Sequence, residues 1–324
     1  MRRRFWPSFG RFCSTTTGVA MVIGLMAGAA LSYAPIPPFS IDDPERTMGR
    51  QRGEPGALVQ VKSTELLSDV FDRAGYRLDG VRRHGEVPRL FLVSLPGDLR
   101  EIRAPSHRKI MFIKTALPLI LLANERIERD RMRIQILRTL IGAGVEIAAD
   151  DAAWLTTIAE RNELALIDFD ELLRRVDIIP PSLALAQGAE ETGWGTSRFA
   201  HEGNALFGQR IFGGKGGLVP HRRDKGKTFK VRAFEDLIEG VKAYAHNLNT
   251  FAAYEEFRRA REALREAGLP LIGSELAKTL ENYSERREAY IDTIRLIIRA
   301  NALGMFDKAR LGDALPRRAV SPDA

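Results

Sequence analysis

The run Pro180-Pro181-Ser182-Leu183-Ala184-Leu185-Ala186-Gln187-Gly188-Ala189-Glu190-Glu191-Thr192-Gly193-Trp194-Gly195 opens on two prolines and closes on two glycines around a tryptophan. That framing predicts a helix, since proline suits the first turn and glycine suits a left-handed terminus. The residues between are apolar on nearly every side, so the helix belongs in a core. Its last turn nevertheless carries two glutamates. Carboxylates there meet the unfavourable end of the macrodipole, at a cost of about 0.3–1 kcal/mol each, so stability does not account for them. Neighbouring residues are turned by about 100° around a helix. Glu190 and Glu191 therefore face different ways, one a candidate for chemistry and the other its partner or a surface group. A glutamate desolvated beside an indole holds its proton to higher pH, as a glycosidic general acid must, and Trp194 supplies the indole. A solvated Glu-Glu pair before a capping glycine is the competing reading.

Outward from this helix the chain stays mainly helical. Upstream, Ile110, Ile113, Leu117, Ile120 and Leu121 share one face of a helix that runs to Leu140, with a kink expected at Pro118. Asp150 or Asp151 is expected to cap the helix AAWLTTIAER, and Asp168 the short helix FDELLRRV. Downstream, helices are expected over 234–248, 254–267, 273–280 and 288–302. The Gly-rich stretch 207–231 breaks this pattern and reads as a hairpin lobe. The expected fold class is α+β, mainly helical, with a small β lobe.

The chain starts with Arg2, Arg3, Arg4 and Arg11, followed by the apolar run Gly18–Ala34 and then Asp42, Asp43 and Glu45. This order matches an export signal or a single membrane anchor with its N-terminus inside. Residues 1–34 are assigned to that signal or anchor and 35–57, rich in Pro, Gly and charge, to a linker. Residues 58–104 form a small accessory region of no readable role, 105–310 the catalytic domain, and 311–324 a disordered tail. The 324 residues are 44% hydrophobic and 28% charged, ordinary for a globular body and unlike a polytopic membrane protein. The formal net charge of +7 favours acidic partners. Its basic residues form no long block or aromatic-interleaved stripe, so nucleic acid is not an expected partner. With Cys13 as the single cysteine, no intramolecular disulfide can form. The five scattered histidines offer no paired spacing, so no metal and no cofactor is expected.

The segment Ala186-Gln187-Gly188-Ala189-Glu190-Glu191-Thr192-Gly193-Trp194-Gly195-Thr196-Ser197 resembles the AQAALESGWGxS signature of the family 73 β-N-acetylglucosaminidases of peptidoglycan. Gly203-Asn204-Ala205-Leu206-Phe207-Gly208 is similar to that family's G-N-x-L-F-G stretch, and Tyr283-Ser284-Glu285 lies where its tyrosine motif is expected. Within the family, RVDIIPPSLALAQ, SRFAHEGNALFGQ, AYAHNLNT and YSERREAYI together resemble the Bax-type exported proteins of Gram-negative bacteria. The similarity spans roughly 105–306. It implies a lysozyme-like catalytic domain, peptidoglycan glycan strands as partner, a periplasmic location, and Glu191 as the general acid. Thr192 stands where the family usually has serine, and Glu190 where it has an apolar residue.

A second acid is less evident. In such enzymes it lies on a loop of the β lobe, where Asp224 among Arg222, Arg223, Lys225 and Lys227 is the best-placed carboxylate. A solvated charge is the equal alternative for Asp224, and Glu202 and Glu235 are alternates, the latter expected in a helix's first turn. A 2-acetamido sugar also supplies its own nucleophile, which leaves the second carboxylate optional. Trp194, Asn204, Phe207 and Tyr283 are the candidate substrate-binding residues; Asn204 serves either a lobe hinge or an acetamido group. The expected reaction is hydrolysis of the β-1,4 bond after N-acetylglucosamine. A lytic transglycosylase, which cleaves after N-acetylmuramic acid, and a non-catalytic wall-binding protein remain its rivals.

Overall fold

The computed structural model describes residues 56–211, 217–220 and 229–313. The apolar run Gly18–Ala34, Asp224 and most of the tail lie outside the described residues. Among the described residues no helix is long and apolar enough to cross a membrane.

In chain order the elements are β1 (Ala57–Val59), α1 (Thr64–Arg73), α2 (Leu78–His84), β2 (Glu86–Val87), β3 (Leu90–Leu92), α3 (Pro105–Gly142), α4 (Ala149–Arg161), α5 (Phe169–Arg175), α6 (Pro181–Thr192) and α7 (Arg198–Gly203). They continue with β4 (Arg210–Ile211), β5 (Lys230–Val231), α8 (Leu237–Thr250), α9 (Glu255–Glu266), α10 (Gly273–Leu276), α11 (Glu288–Ala300) and β6 (Arg310–Leu311). This is a mainly helical α+β fold. The strands pair as parallel β1–β3 and β2–β6 and as antiparallel β4–β5, the last with Arg210 opposite Val231. The expected hairpin lobe is thus present in its two paired ends, and a lysozyme-like arrangement is compatible with the whole.

Two helices carry the centre. From Met111 to Asn124 every residue of α3 is buried, and α6 is buried from Pro181 to Ala189. A helix apolar all round must be surrounded. The α3 segment is, by α6 and α8 on one side and by Leu67, Phe71 and Leu90 of the N-terminal elements, which share the same hydrophobic core. Pro118 sits inside α3 without ending it. Ile110, placed on the apolar face by its spacing, is 44% exposed.

Local signals explain most helix starts. Asp168 caps α5 by accepting from the backbone N–H of Asp170 and Glu171, and Asp236 caps α8 through Glu239. The expectation for α4 fails by two positions: Ala148 stands at the N-cap, and Asp150 and Asp151 lie in the first turn. There they complement the macrodipole, and Asp151 accepts from Arg133 of α3 at 2.5 Å. Glu235, expected in a first turn, lies before the α8 cap and is exposed.

The link between α5 and α6 is held by a buried charge cluster. Asp177 is 2% exposed and receives Arg265 at 2.7 and 3.1 Å, with Arg261 at 3.7 Å and Arg131 at 3.8 Å. Arg261, fully buried, also donates to the backbone carbonyls of Asp177, Ile178 and Arg174. Burial works against the Asp177 carboxylate, yet Arg261, Arg265 and Arg131 together hold its pKa below the usual value. We expect Asp177→Ala to destabilise the fold by about 3–5 kcal/mol, because uncompensated guanidinium groups remain inside. Since the folded pKa is depressed, the stability Asp177 contributes is complete above its unfolded value of about 3.9 and disappears as pH falls through the folded one. Denaturant unfolding of both forms at pH 7 and at lower pH measures the two effects; a loss under 1 kcal/mol at pH 7 contradicts the assignment.

Candidate active site

Glu191 is the penultimate residue of α6, and the turn after it fixes how that helix ends. Gly193, Trp194 and Gly195 all adopt left-handed backbone, at φ 58°, 62° and 82°. For tryptophan this costs about 1–2 kcal/mol. Thr192 compensates by closing the turn: its hydroxyl donates to Gly188 O at 2.6 Å and accepts from Gly195 N–H at 2.8 Å. The hydroxyl kept at this position therefore has a defined task. Gly195 has no alternative, since a Cβ there would lie 3.0 Å from Leu99 and 3.2 Å from Phe112.

The two glutamates diverge as helix geometry requires. Glu190 accepts from Arg286 at 2.5 Å, in the segment leading into α11. Glu191 reaches solvent at the surface of the body, with protein packed densely behind it. Its pKa is pushed up to about 7, first by desolvation and next by the negative charge of Glu190, while Arg210 and Arg286 act against the rise. Because water still touches the side chain, this is the desolvation of a group backed by protein on most sides and not of one sealed away. Gly208 covers one flank. Its φ is +61°, and a Cβ on it would lie 3.0 Å from Glu191 Oε2, so only glycine leaves the carboxyl this room.

Beneath Glu191 lies a polar chain in an otherwise apolar core. Gln187, fully buried one turn earlier in α6, donates to Tyr290 Oη at 3.0 Å and accepts from Tyr244 Oη at 2.6 Å. Tyr283 stacks on Tyr290 with centroids 5.4 Å apart and tilts against Tyr254 at 5.9 Å. Burial raises the pKa of both Tyr283 and Tyr290 well above the ordinary value, and the Glu191 charge adds to the rise. The phenols thus stay protonated beside the glutamate.

The candidate residues do not all converge. Tyr283 stands within electrostatic reach of Glu191 and is half-buried. Trp194 turns away: its indole meets Phe112 edge-on at 5.8 Å and lies 5.0 Å beneath Lys109 Nζ, so it packs the turn onto α3. Phe207 is 3% exposed and stacks on Tyr244 at 3.8 Å, a core position under the Glu191 region. Asn204, at φ 49°, donates to the carbonyls of Phe234 and Glu235 at 3.2 and 3.0 Å, which matches the hinge reading. Glu202 pairs with Arg198 at 2.9 Å on the surface. Asp224 lies outside the described residues. The structure adds Arg286, Gly208 and the Gln187–Tyr244 pair to the set. A signal for Arg286 existed in the basic Arg286-Arg287 pair next to Tyr283. Gln187 offered only its polarity inside an apolar helix.

A helical body that holds the Glu191 carboxyl, its pKa pushed up to about 7, beside stacked tyrosines presents a candidate acid site. The family described as mannosyl-glycoprotein endo-beta-N-acetylglucosaminidase, the glucosaminidase domain, matches residues 167–303. Protein bax of Escherichia coli (strain K12) is 34% identical over 203 residues, which cover 61% of this chain and 70% of that protein. No solved structure matches. The chain belongs to the Bax-type proteins with a glucosaminidase domain, and that domain makes it a glycosidase.

The Glu190 charge adds to the desolvation that raises the Glu191 pKa, and its removal has a sign. Glu190→Gln deletes a charge that raises the Glu191 pKa and frees Arg286, whose charge lowers it. Both changes favour the ionised form, so the Glu191 pKa should drop toward the ordinary glutamate value. Carboxyl 13C titration of Glu191 in the two proteins tests this, and an unchanged or higher pKa in the variant contradicts the electrostatic account.

Proposed function

We propose that this chain hydrolyses the β-1,4 bond after N-acetylglucosamine in peptidoglycan glycan strands, with Glu191 as general acid. The observation that supports it most is the Glu191 carboxyl, pushed up to about 7 yet open to solvent. At neutral pH a large fraction of the molecules then carry the proton where an incoming sugar can take it, the balance general acid catalysis requires. Glu191 gives its proton to the glycosidic oxygen as the C1–O bond breaks. The electron deficiency at C1 is met by the substrate's acetamide oxygen or by water activated at a second carboxylate, for which Asp224 is the sequence candidate. Water supplies the hydroxyl at C1 and its remaining proton returns to the enzyme. Tyr283 and Arg286 border this reaction, whereas Trp194, Asn204 and Phe207 serve the scaffold.

The same geometry suits a lytic transglycosylase acting after N-acetylmuramic acid, and product chemistry separates the two. Purified sacculi digested with the protein should yield reducing N-acetylglucosamine ends by mass spectrometry; anhydro-muramic ends would establish the rival, and no release would favour a wall-binding protein. Glu191→Gln should reduce release by about 10²- to 10⁴-fold with folding intact. Asp224→Asn should lower turnover more than glycan binding if that carboxylate assists, and an unchanged rate assigns the assisting role to the acetamide. Retention of activity in Glu191→Gln with loss in Glu190→Gln would move the acid by one residue.

We propose further that the body is exported to the periplasm, held by a single N-terminal anchor or released after signal cleavage. The arginines before Gly18–Ala34 and the acids after it support this orientation. Protease added to spheroplasts should degrade an anchored form, and recovery in the periplasmic extract would mark a cleaved one. Protection of a full-length, membrane-associated form contradicts the orientation.

A further inference from the structure

A cleft of about 790 Å³ opens between the N-terminal elements and the start of α3 and end of α11, and none of its lining residues belongs to the Glu191 site. Four cations line it: Arg77, Arg82, Lys109 and Lys114. Asp72 and Asp79 are the acids on its wall, so positive charge is in excess.

Part of that charge is accounted for by the fold. Arg82 donates to the Asn301 carbonyl at 3.2 Å and Lys109 to Asn301 Oδ1 at 3.0 Å, which satisfies the C-terminal end of α11. Arg77 lies 3.5 Å from Asp79. Lys114 is different. It is 7% exposed, yet no hydrogen bond or ion pair engages its ammonium, which rests over the rings of Phe71 at 4.6 Å and Tyr76 at 5.5 Å. Burial lowers its pKa, with the charge of Asp72 opposing. Tyr76, 1% exposed, carries a buried hydroxyl that also has no partner, and the same holds for Arg82 Nε. Buried donors without acceptors each cost about 1–3 kcal/mol, and such groups in native structures call for an explanation. Here a buried phenol and a buried guanidinium nitrogen without partners, and an ammonium with no protein acceptor, belong to residues of one cleft.

We propose that this cleft binds a short acidic peptide, with a carboxylate taken by Lys114 and Lys109. A carboxylate supplies the acceptor that Lys114 lacks and gains a charge-assisted hydrogen bond. The N-terminus of the 38-residue helix α3, at Pro105 and Ser106 on the rim, adds favourable potential for an anion. Asp72 and Asp79 distinguish the peptide from a bare phosphate: they repel a dianion but can receive a peptide's ammonium. Leu78, Ile110 and Ile113 give the apolar wall that a peptide's side chains need and an inorganic ion does not use. The half-exposed state of Ile110, unexpected for its place on the apolar face of α3, is explained by this wall.

The test is calorimetric titration of the full chain, in detergent, with the free tripeptide Ala-Glu-Glu and separately with inorganic phosphate. Saturable binding of the tripeptide is expected, at least tenfold weaker in Lys114→Met and in Lys109→Gln. Lys114→Met keeps the stem over the two rings and removes a buried charge, so it is expected to fold; Lys109→Gln lies near the surface and checks the same claim where folding is not at stake. Absence of tripeptide binding, equal affinity in both variants, or binding of phosphate in preference to the tripeptide would overturn the proposal.

Discussion

The carboxylate of Asp177 is the constraint on which the rest of the molecule depends. It sits between α5 and α6, and the guanidinium groups that surround it come from α3 and α9. Burying the Asp177 and Arg261 charges is unfavourable unless nearly every donor and acceptor is used. Arg261 meets that condition by binding three backbone carbonyls of the α5–α6 link, and Asn249 binds the Asp177 carbonyl from α8. The start of α6 is thereby fixed by four helices at once. From Pro181 to Glu191 the helix advances about 15 Å, at about 1.5 Å per residue. A slip of one residue at its start would put Glu190 in the direction Glu191 now takes, or Glu191 in that of Glu190. Asp307 removes that freedom by accepting from both the N–H and the hydroxyl of Ser182 at 2.8 Å, and Gln187 by its bonds to Tyr244 and Tyr290.

With the helix fixed, two chemically identical side chains acquire opposite properties. Both meet the negative end of the α6 dipole. Glu190 finds a guanidinium and stays an ordinary partner of it. Glu191 finds Gly208, which offers no charge and no Cβ, and tyrosines whose phenols remain neutral. The difference between an ion pair and an acid near neutrality is thus a matter of 100° of helix rotation, and it is set by contacts made one to three turns away.

The fold was legible in the sequence where a signal was local. Pro180-Pro181, the all-apolar face and Gly193 located α6, and Asp168 located α5, because caps and breakers act over three or four residues. The assignment of a capping role to Asp150 or Asp151 failed because the helix starts earlier, with Ala148 at its N-cap, and Asp151 pairs instead with Arg133 of another helix. The sequence singled out Glu191 by position and Tyr283 by motif, and the structure places the two within electrostatic reach of each other. Trp194, Phe207 and Asn204, singled out with them, have contacts the sequence did not show: Phe112, Tyr244 and the carbonyls of Phe234 and Glu235. An aromatic beside an acid in sequence says nothing of which side of the backbone it occupies when the intervening residues are left-handed. Arg286 was missed for the complementary reason: ninety-six residues separate it from Glu190, and no periodicity spans that distance.

That left-handed turn also bounds what the Lys109–Lys114 cleft and Glu191 can communicate. Trp194 is one contact chain between them, with Lys109 above its ring and Thr192 tying its turn back to α6; the bond from Lys109 to Asn301 at the end of α11 is another. A ligand that draws Lys109 off the indole alters Glu191 by no more than the free energy of that cation–ring contact, about 0.5–1 kcal/mol at an accessible position. Coupling is reciprocal and limited by the differential interaction that transmits it, so the effect on either site through this contact is at most about fivefold. By that contact a peptide in the cleft changes the acid little, and the setting of the acid remains the work of desolvation at the helix end, with Glu190 adding to it and Arg210 and Arg286 opposing.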